Sequence, residues 1–157
     1  MESGMTERYN IDYTFDEVAE ILNLIQNHVK NNRFYISKIN RDDNNEFIMV
    51  HNISFEDRKR ILLQIKPEDF CYSTPNEHIG YESESLYVFC PLAAIPGILD
   101  NNDNLRIEMY IKFNIVEAKG TDRVIVVSFH SRKKPINYLF RGQNKLEMGA
   151  TNEPDVL

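Results

Sequence analysis

Tryptophan is absent from this chain, cysteine occurs twice, and no run of apolar side chains approaches the ~18 to 20 residues that a membrane helix needs. The two cysteines, Cys71 and Cys90, stand 19 residues apart with no CxxC pair and no histidine at metal-ligand spacing. They read as buried or half-buried thiols, with a disulfide or metal role as the alternative. The opening MESGMTERYNIDY has no basic-then-apolar leader pattern, so the expectation is a cytoplasmic protein with no membrane contact. A Gly-rich phosphate loop, a GxSxG elbow and an HExxH helix are all missing, which removes the commonest nucleotide-binding, esterase and zinc-protease readings. Acidic pairs such as Asp42-Asp43, Glu68-Asp69 and Glu82/Glu84 lack a calcium-loop spacing, so neither a metal nor a cofactor is expected.

With 42% hydrophobic residues in 157, the chain suits a single α+β domain over residues 13–141, with a flexible start (1–12) and a flexible tail (142–157). The net charge of −6 argues at first against a nucleic-acid partner. Its distribution argues otherwise: residues 123–145 hold six Lys or Arg and no acid, whereas residues 1–122 hold 12 basic and 21 acidic side chains. Screening over about 8 Å lets such a local cationic segment attract phosphate on an acidic molecule. The plainer alternative is a solvated strand end.

Along the chain, Thr14-x-x-Glu17 is a capping box that opens a helix over residues 15–31, with Val18, Ile21, Leu22, Ile25 and Val29 on one face. A strand is expected over 33–39, a polar loop over 40–45 and a helical turn over 46–50. Ser54 reads as the N-cap of a second main helix burying Ile61, Leu62 and Ile65. Pro67 starts a further turn. Residues 71–83 (CYSTPNEHIGYES) read as a long loop, 86–91 as a short strand and 92–99 as an irregular bend. Asn101, Asn102, Asp103 and Asn104 turn the chain into a long hairpin, and 135–140 reads as a last edge segment. The whole predicts two main helices on an antiparallel sheet of about four to six strands.

That hairpin, residues 105–134, carries the chemistry. Alternation in its first strand puts Met109, Ile111 and Phe113 on one face, with Tyr110 and Lys112 on the other. With residues 119–121 as the loop and Gly120 or a neighbour at positive φ, Ile111 faces Phe129, Phe113 faces Val127 and Ile115 faces Ile125. A one-residue slip would expose Phe129, and each misplaced large apolar side chain costs roughly 1.5 to 3 kcal/mol. The same register sets Tyr110 opposite His130 and Lys112 opposite Ser128, with Arg132, Lys133 and Lys134 just beyond. An imidazole, a phenol and several cations at one strand end form an outline for handling a phosphodiester. Each has a structural alternative: a hydrogen-bonded strand-end histidine, a sheet tyrosine, solvated cations. His78 reads as solvated, and His28 and His51 as surface side chains without a role.

Three stretches, residues 61–70 (ILLQIKPEDF), 109–113 (MYIKF) and 124–130 (VIVVSFH), set in this order of helices and strands, resemble the MqsR-like branch of the RelE-type messenger-RNA interferase toxins. The resemblance spans roughly residues 14–134. It implies a metal-independent endoribonuclease that cuts messenger RNA, free or on the ribosome, and is neutralised by a cognate antitoxin of a bacterial toxin–antitoxin pair. The family's hairpin tyrosine and lysine correspond to Tyr110 and Lys112. Lysines of the family stand where this chain has Tyr72 and His130, and a family glutamine has no clear counterpart near residues 82–86.

Metal-free RNA cleavage needs a base for the 2′-hydroxyl, cations for the phosphorane and an acid for the 5′-oxygen. His130, Tyr110 and Lys112 are the expected catalytic set, because imidazole exchanges protons near neutrality, the phenol orients and the ammonium stabilises charge. Arg132, Lys133 and Lys134 are expected to hold phosphates, and Tyr72 and Tyr81 to stack bases. A non-catalytic acidic binding or inhibitor protein on the same fold is the competing expectation. It rests on the net acidity and on Tyr72 and His130 in place of lysines.

Overall fold

The computed structural model describes residues 9–96, 104–117 and 120–141. Helix α1 (Phe15–Lys30) begins at the expected box: Thr14 Oγ1 accepts from Glu17 N at 3.1 Å while Glu17 Oε1 accepts from Thr14 N at 2.9 Å. Val18, Leu22, Ile25 and Val29 form its buried stripe. It ends in a Schellman motif, with Asn32 at φ 60° and Arg33 N donating to His28 O. His28, expected at the surface, is buried there, and its Nδ1 accepts from Arg33 Nε at 3.1 Å.

Strand β1 (Phe34–Ile36) follows, then α2 (Asp42–Val50) and α3 (Phe55–Gln64). Asn52, at φ 50°, closes α2 as Asn32 closes α1, with Ile53 N on Ile48 O. Asparagine thus takes the left-handed position that glycine fills in many helices. Ser54 caps α3 by accepting from Asp57 N at 3.1 Å. A single 3₁₀ turn (Pro67–Asp69) leads into β2 (Phe70–Pro75), β3 (Ser85–Phe89), β4 (Leu92–Pro96), β5 (Asn104–Val116) and β6 (Arg123–Ser131).

Among the described residues the strands form one six-stranded sheet in the order β1-β6-β5-β3-β2, with β4 also on β5. Leu86 pairs with Asn114 and Leu92 with Glu108, so β3 and β4 run along one edge of β5 in unbroken register across Cys90–Pro91. Residues 92–96, expected as an irregular bend, are therefore strand. Residues 70–75, expected to start a loop, are strand as well, because Phe70 and Ser73 bury beside β3. The sheet is mixed rather than antiparallel: β1 pairs with β6 in parallel, Phe34 beside Val124 and Ile36 beside Val126. Helices and sheet close over Phe70, Phe89, Met109, Ile111, Phe113, Val124, Val126 and Phe129.

The hairpin register holds at its functional end and changes at the other. Tyr110 faces His130, Ile111 faces Phe129 and Lys112 faces Ser128 as expected, but Phe113 then faces Val126 and Ile115 faces Val124. Val127 is an extra residue, a β-bulge. Val124 and Val126 are buried in place of the expected Ile125 and Val127, while Phe129 is buried as expected. Of residues 40–45, expected as a loop, 42–45 begin α2, which packs on β6 through Phe47 and Asn44. The two expected main helices are α1 and α3, and the expected helical turn over 46–50 is the second half of a third, α2. Gly120 has φ 74°, as the hairpin loop requires. Residues 132–138 leave the sheet as a strap, not an edge strand, and 139–141 are helical. The expected tail (142–157), the first eight residues of the expected flexible start, residues 97–99 of the expected bend, residues 101–103 of the expected turn and residue 119 of the expected hairpin loop lie outside the described residues.

Candidate active site

Alternation along β5 sends Tyr110 and Lys112 to the sheet face away from the helices, and the β6 bulge sends His130 to the same face. The Tyr110 and His130 rings lie nearly parallel (19°) with centroids 5.7 Å apart. Lys112 Nζ stands 5.7 Å from the Tyr110 centroid. From β2, the Tyr72 hydroxyl reaches the Tyr110 hydroxyl at 3.1 Å, and the Tyr9 ring tilts against Tyr72 at 4.4 Å. Tyr9 is held there because Asn10 pairs with Ser73 at the free edge of β2, with bonds of 2.8 and 2.9 Å.

Tyr9, Tyr72, Tyr110 and His130 border a cavity of about 500 Å³, lined also by Ile11, Cys71, Lys133, Lys134 and the strap residues Pro135–Asn137, while Lys112 stands on the same sheet face outside that lining. Its volume lies within the ~300 to 1,000 Å³ usual for small-ligand sites. Among the described residues no carboxylate lines it. The strap is fixed by Tyr138 Oη donating to Cys90 O at 2.7 Å, by an Arg141–Asp69 ion pair, and by Arg141 lying 4.1 Å over the Tyr138 ring. His130 also borders two shallower depressions on the α2 side, one with Asp43, Glu46, His51 and Lys133, the other with Arg41, Asp42 and Asp43. It is the one side chain shared by all three hollows described here.

The electrostatics divide the roles. His130 Nδ1 lies 2.9 Å from Ser131 O, a contact that selects the Nδ1–H tautomer and leaves the Nε2 lone pair available. Burial pushes the Tyr72 phenol well above the usual tyrosine range, and its bond to Tyr110 adds to this. Burial also raises Tyr110, with the same bond acting in the opposite sense. Both phenols therefore stay protonated at neutral pH, and either can donate in the bond between them. Tyr110 is then a hydrogen-bond donor and a stacking surface, not a base. Burial lowers the pKa of Lys112, and the nearby Arg41 cation lowers it further against the pull of Glu77.

Of the residues singled out from sequence, His130, Tyr110, Lys112, Tyr72, Lys133 and Lys134 come together. Lys133 also pairs with Asp43 at 2.8 Å. Arg132 binds Glu108 and donates to Lys134 O at 2.7 Å, so it braces the start of the strap rather than lining the cavity. Tyr81 packs near His78 on the loop before β3 and borders none of the three hollows. Sequence reasoning missed Tyr9, Ile11, Cys71, Ile136 and Asn137. Tyr9 sits in a polar segment whose only local signal is the aromatic itself. Cys71 and Tyr72 share this face because the β2–β3 register shifts by one residue between Phe70 and Tyr72. Among the described residues no group of three or more His, Cys, Asp and Glu is placed to hold a metal ion. Comparison with protein-family models, curated proteins and solved structures finds no match for this chain.

Proposed function

We propose that this chain is a metal-independent endoribonuclease acting on messenger RNA, the toxin half of a toxin–antitoxin pair, as its MqsR-like motifs imply. The observation that carries this reading is the cavity in which His130, Tyr110, Tyr72, Lys133 and Lys134 meet without a lining carboxylate among the described residues. His130 Nε2 takes the 2′-hydroxyl proton, the 2′-oxygen attacks phosphorus, and the bond from phosphorus to the 5′-oxygen breaks to leave a cyclic phosphate. Lys112 lies on the same face with a lowered pKa, suited to returning a proton to the 5′-oxygen. Lys133 and Lys134 hold the flanking phosphates, and the Tyr9, Tyr72 and Tyr110 rings offer faces to unstacked bases. The expected partners are messenger RNA, the ribosome and a cognate antitoxin. No helix among the described residues is long and apolar enough to cross a membrane.

The test is a long messenger RNA incubated with purified protein, with and without EDTA, beside His130→Ala and Tyr110→Phe, and repeated with translating ribosomes. EDTA-resistant cleavage that collapses in His130→Ala supports the proposal. One specific observation favours a second reading, a non-catalytic binding module: Asp42, Asp43 and Glu46 border the α2-side hollows beside His130, where they repel a polyanion. RNA intact in both settings, with no growth arrest on expression, favours that module.

A further inference from the structure

His130 follows a β-bulge, and the bulge is what sends it to the Tyr110 face. Upstream, Val124 and Val126 point into the helix-side core; downstream, Phe129 does. Strict alternation from Val126 would carry Ser128 and His130 into that core and turn Phe129 outward. The extra residue, Val127, reverses the parity.

A bulge leaves backbone groups outside the ladder, and in a buried strand they need partners. One side chain supplies them. Asn44, on the first turn of α2 and 1% exposed, donates through Nδ2 to Val127 O at 3.0 Å and to Ser37 O at 3.0 Å. Its Oδ1 accepts from Phe129 N at 2.8 Å. The amide therefore brackets the bulge on both sides and ties it to the chain leaving β1. Neither aspartate, which lacks the donors, nor leucine, which lacks both functions, reproduces this pattern.

We infer that Asn44 is the positioning residue of His130: it holds the β6 bulge in the one backbone path that stacks the imidazole against Tyr110. The structural inference concerns where the ring stands. Its consequence for RNA cleavage rests on the proposed function above.

The experiment compares wild type with Asn44→Ala, Asn44→Asp and a control, Leu62→Ala, which removes buried side chain from α3, a helix packed mainly on α1 and β4, and does not line the cavity. All are studied well below their melting temperatures. The first readout is the NMR shift of the His130 ring protons, displaced in wild type by the stacked Tyr110 ring and independent of any activity. The second is the single-turnover cleavage rate of RNA and its pH profile. The expected result is a His130 shift moved toward that of free histidine in both Asn44 variants and unmoved in Leu62→Ala. Cleavage should fall about 10- to 100-fold in the Asn44 variants, as expected for a misplaced reacting group. An unmoved His130 shift in folded Asn44→Ala overturns the inference. A moved shift in a protein whose wild type cleaves no RNA, alone or with translating ribosomes, and arrests no growth upholds the inference and rejects the nuclease. If the variants do not fold, wild type still decides: fast exchange of the Asn44 side-chain amide protons, or their lack of contact with the Phe129 amide, overturns it.

Discussion

The two faces of the sheet are built by the same strands and have opposite characters. Toward the helices, β5 and β6 present Met109, Ile111, Phe113, Val124, Val126 and Phe129, all fully buried. Away from them, the same strands present Tyr110, Lys112 and His130, which are half-buried. On that side the cover is thin: a strap, one N-terminal bridge and a small cluster around Cys71, Val88 and Cys90. One face excludes water and holds the fold. The other keeps titratable groups near enough to water to exchange protons and near enough to each other to share them. Alternation thus separates stability from chemistry within single strands, and a substitution tells which side it stands on.

The largest effect is expected on the helix side. Phe113→Ala removes a fully buried ring that packs edge-on to Phe89, and it should cost about 3 to 5 kcal/mol in urea unfolding. Tyr110→Phe, three residues away on the other face, should lower cleavage strongly while changing stability by no more than about 1.5 kcal/mol. Equal stability losses at the two positions would break the contrast.

Asn44 is expected to come next, since it reaches β6 from α2 on the helix side. Asn44→Ala deprives Ser37 O, Val127 O and Phe129 N of their partner and should cost about 3 kcal/mol. That loss is measurable by thermal or urea unfolding without any RNA.

This residue also marks where the fold stops being legible in sequence. Helices α1 and α3 could be read because their caps and apolar stripes are local: Thr14 with Glu17, and Ser54 with Asp57. The pairing of Tyr110 with His130 could be read because a slip there exposes Phe129. The bulge at Val127 could not, since its partner stands 83 residues earlier in a segment, DDNNEFIMV, whose polar start resembles a loop. Parity was therefore right at His130 and wrong at Val124 and Val126. The site was legible from β5 and β6 outward to Lys134. Its walls were not, because Tyr9 and Ile136 arrive through a backbone bridge and a strap anchored by Tyr138 and Arg141.

On the open face the hydroxyl pair can be weighed directly. In a double-mutant cycle of Tyr72→Phe and Tyr110→Phe, each single change should cost about 0.5 to 1.5 kcal/mol and the double less than the sum. Additive losses would mean the two phenols act separately.

The strap contributes a smaller effect that depends on pH. Burial raises the Asp69 carboxyl above its ordinary pKa of 3.8, while the Lys66 N–H bond and the Arg141 charge pull it down. A carboxyl so raised holds its proton more readily in the fold than in the unfolded chain. Its contribution to stability is fully present below the unfolded value and is lost as pH rises through the folded one. The stability of wild type relative to Asp69→Asn should therefore decline as pH is raised over the interval from the ordinary carboxyl value to the higher folded one. A rise over that interval would show that the Arg141 pair outweighs burial.

The smallest stability effect and the sharpest functional one are expected at the same residue. Asp43 is a surface side chain whose carboxyl is held below its ordinary pKa chiefly by its bond to Lys133, with His130 adding a weaker pull. It is therefore ionised at neutral pH and occupies a cation that would otherwise face phosphate. A pair this exposed adds little to folding, so Asp43→Asn should leave the unfolding midpoint unchanged. It should instead tighten RNA binding and steepen its salt dependence, because Lys133 is released and a repelling charge beside His130 is gone. Equilibrium binding of a catalytically silent RNA across a salt series measures both. If Asp43→Asn leaves the salt slope where it was, Lys133 does not meet phosphate, and the acids of α2 are then better understood as the recognition surface of a binding module than as a brake on a nuclease.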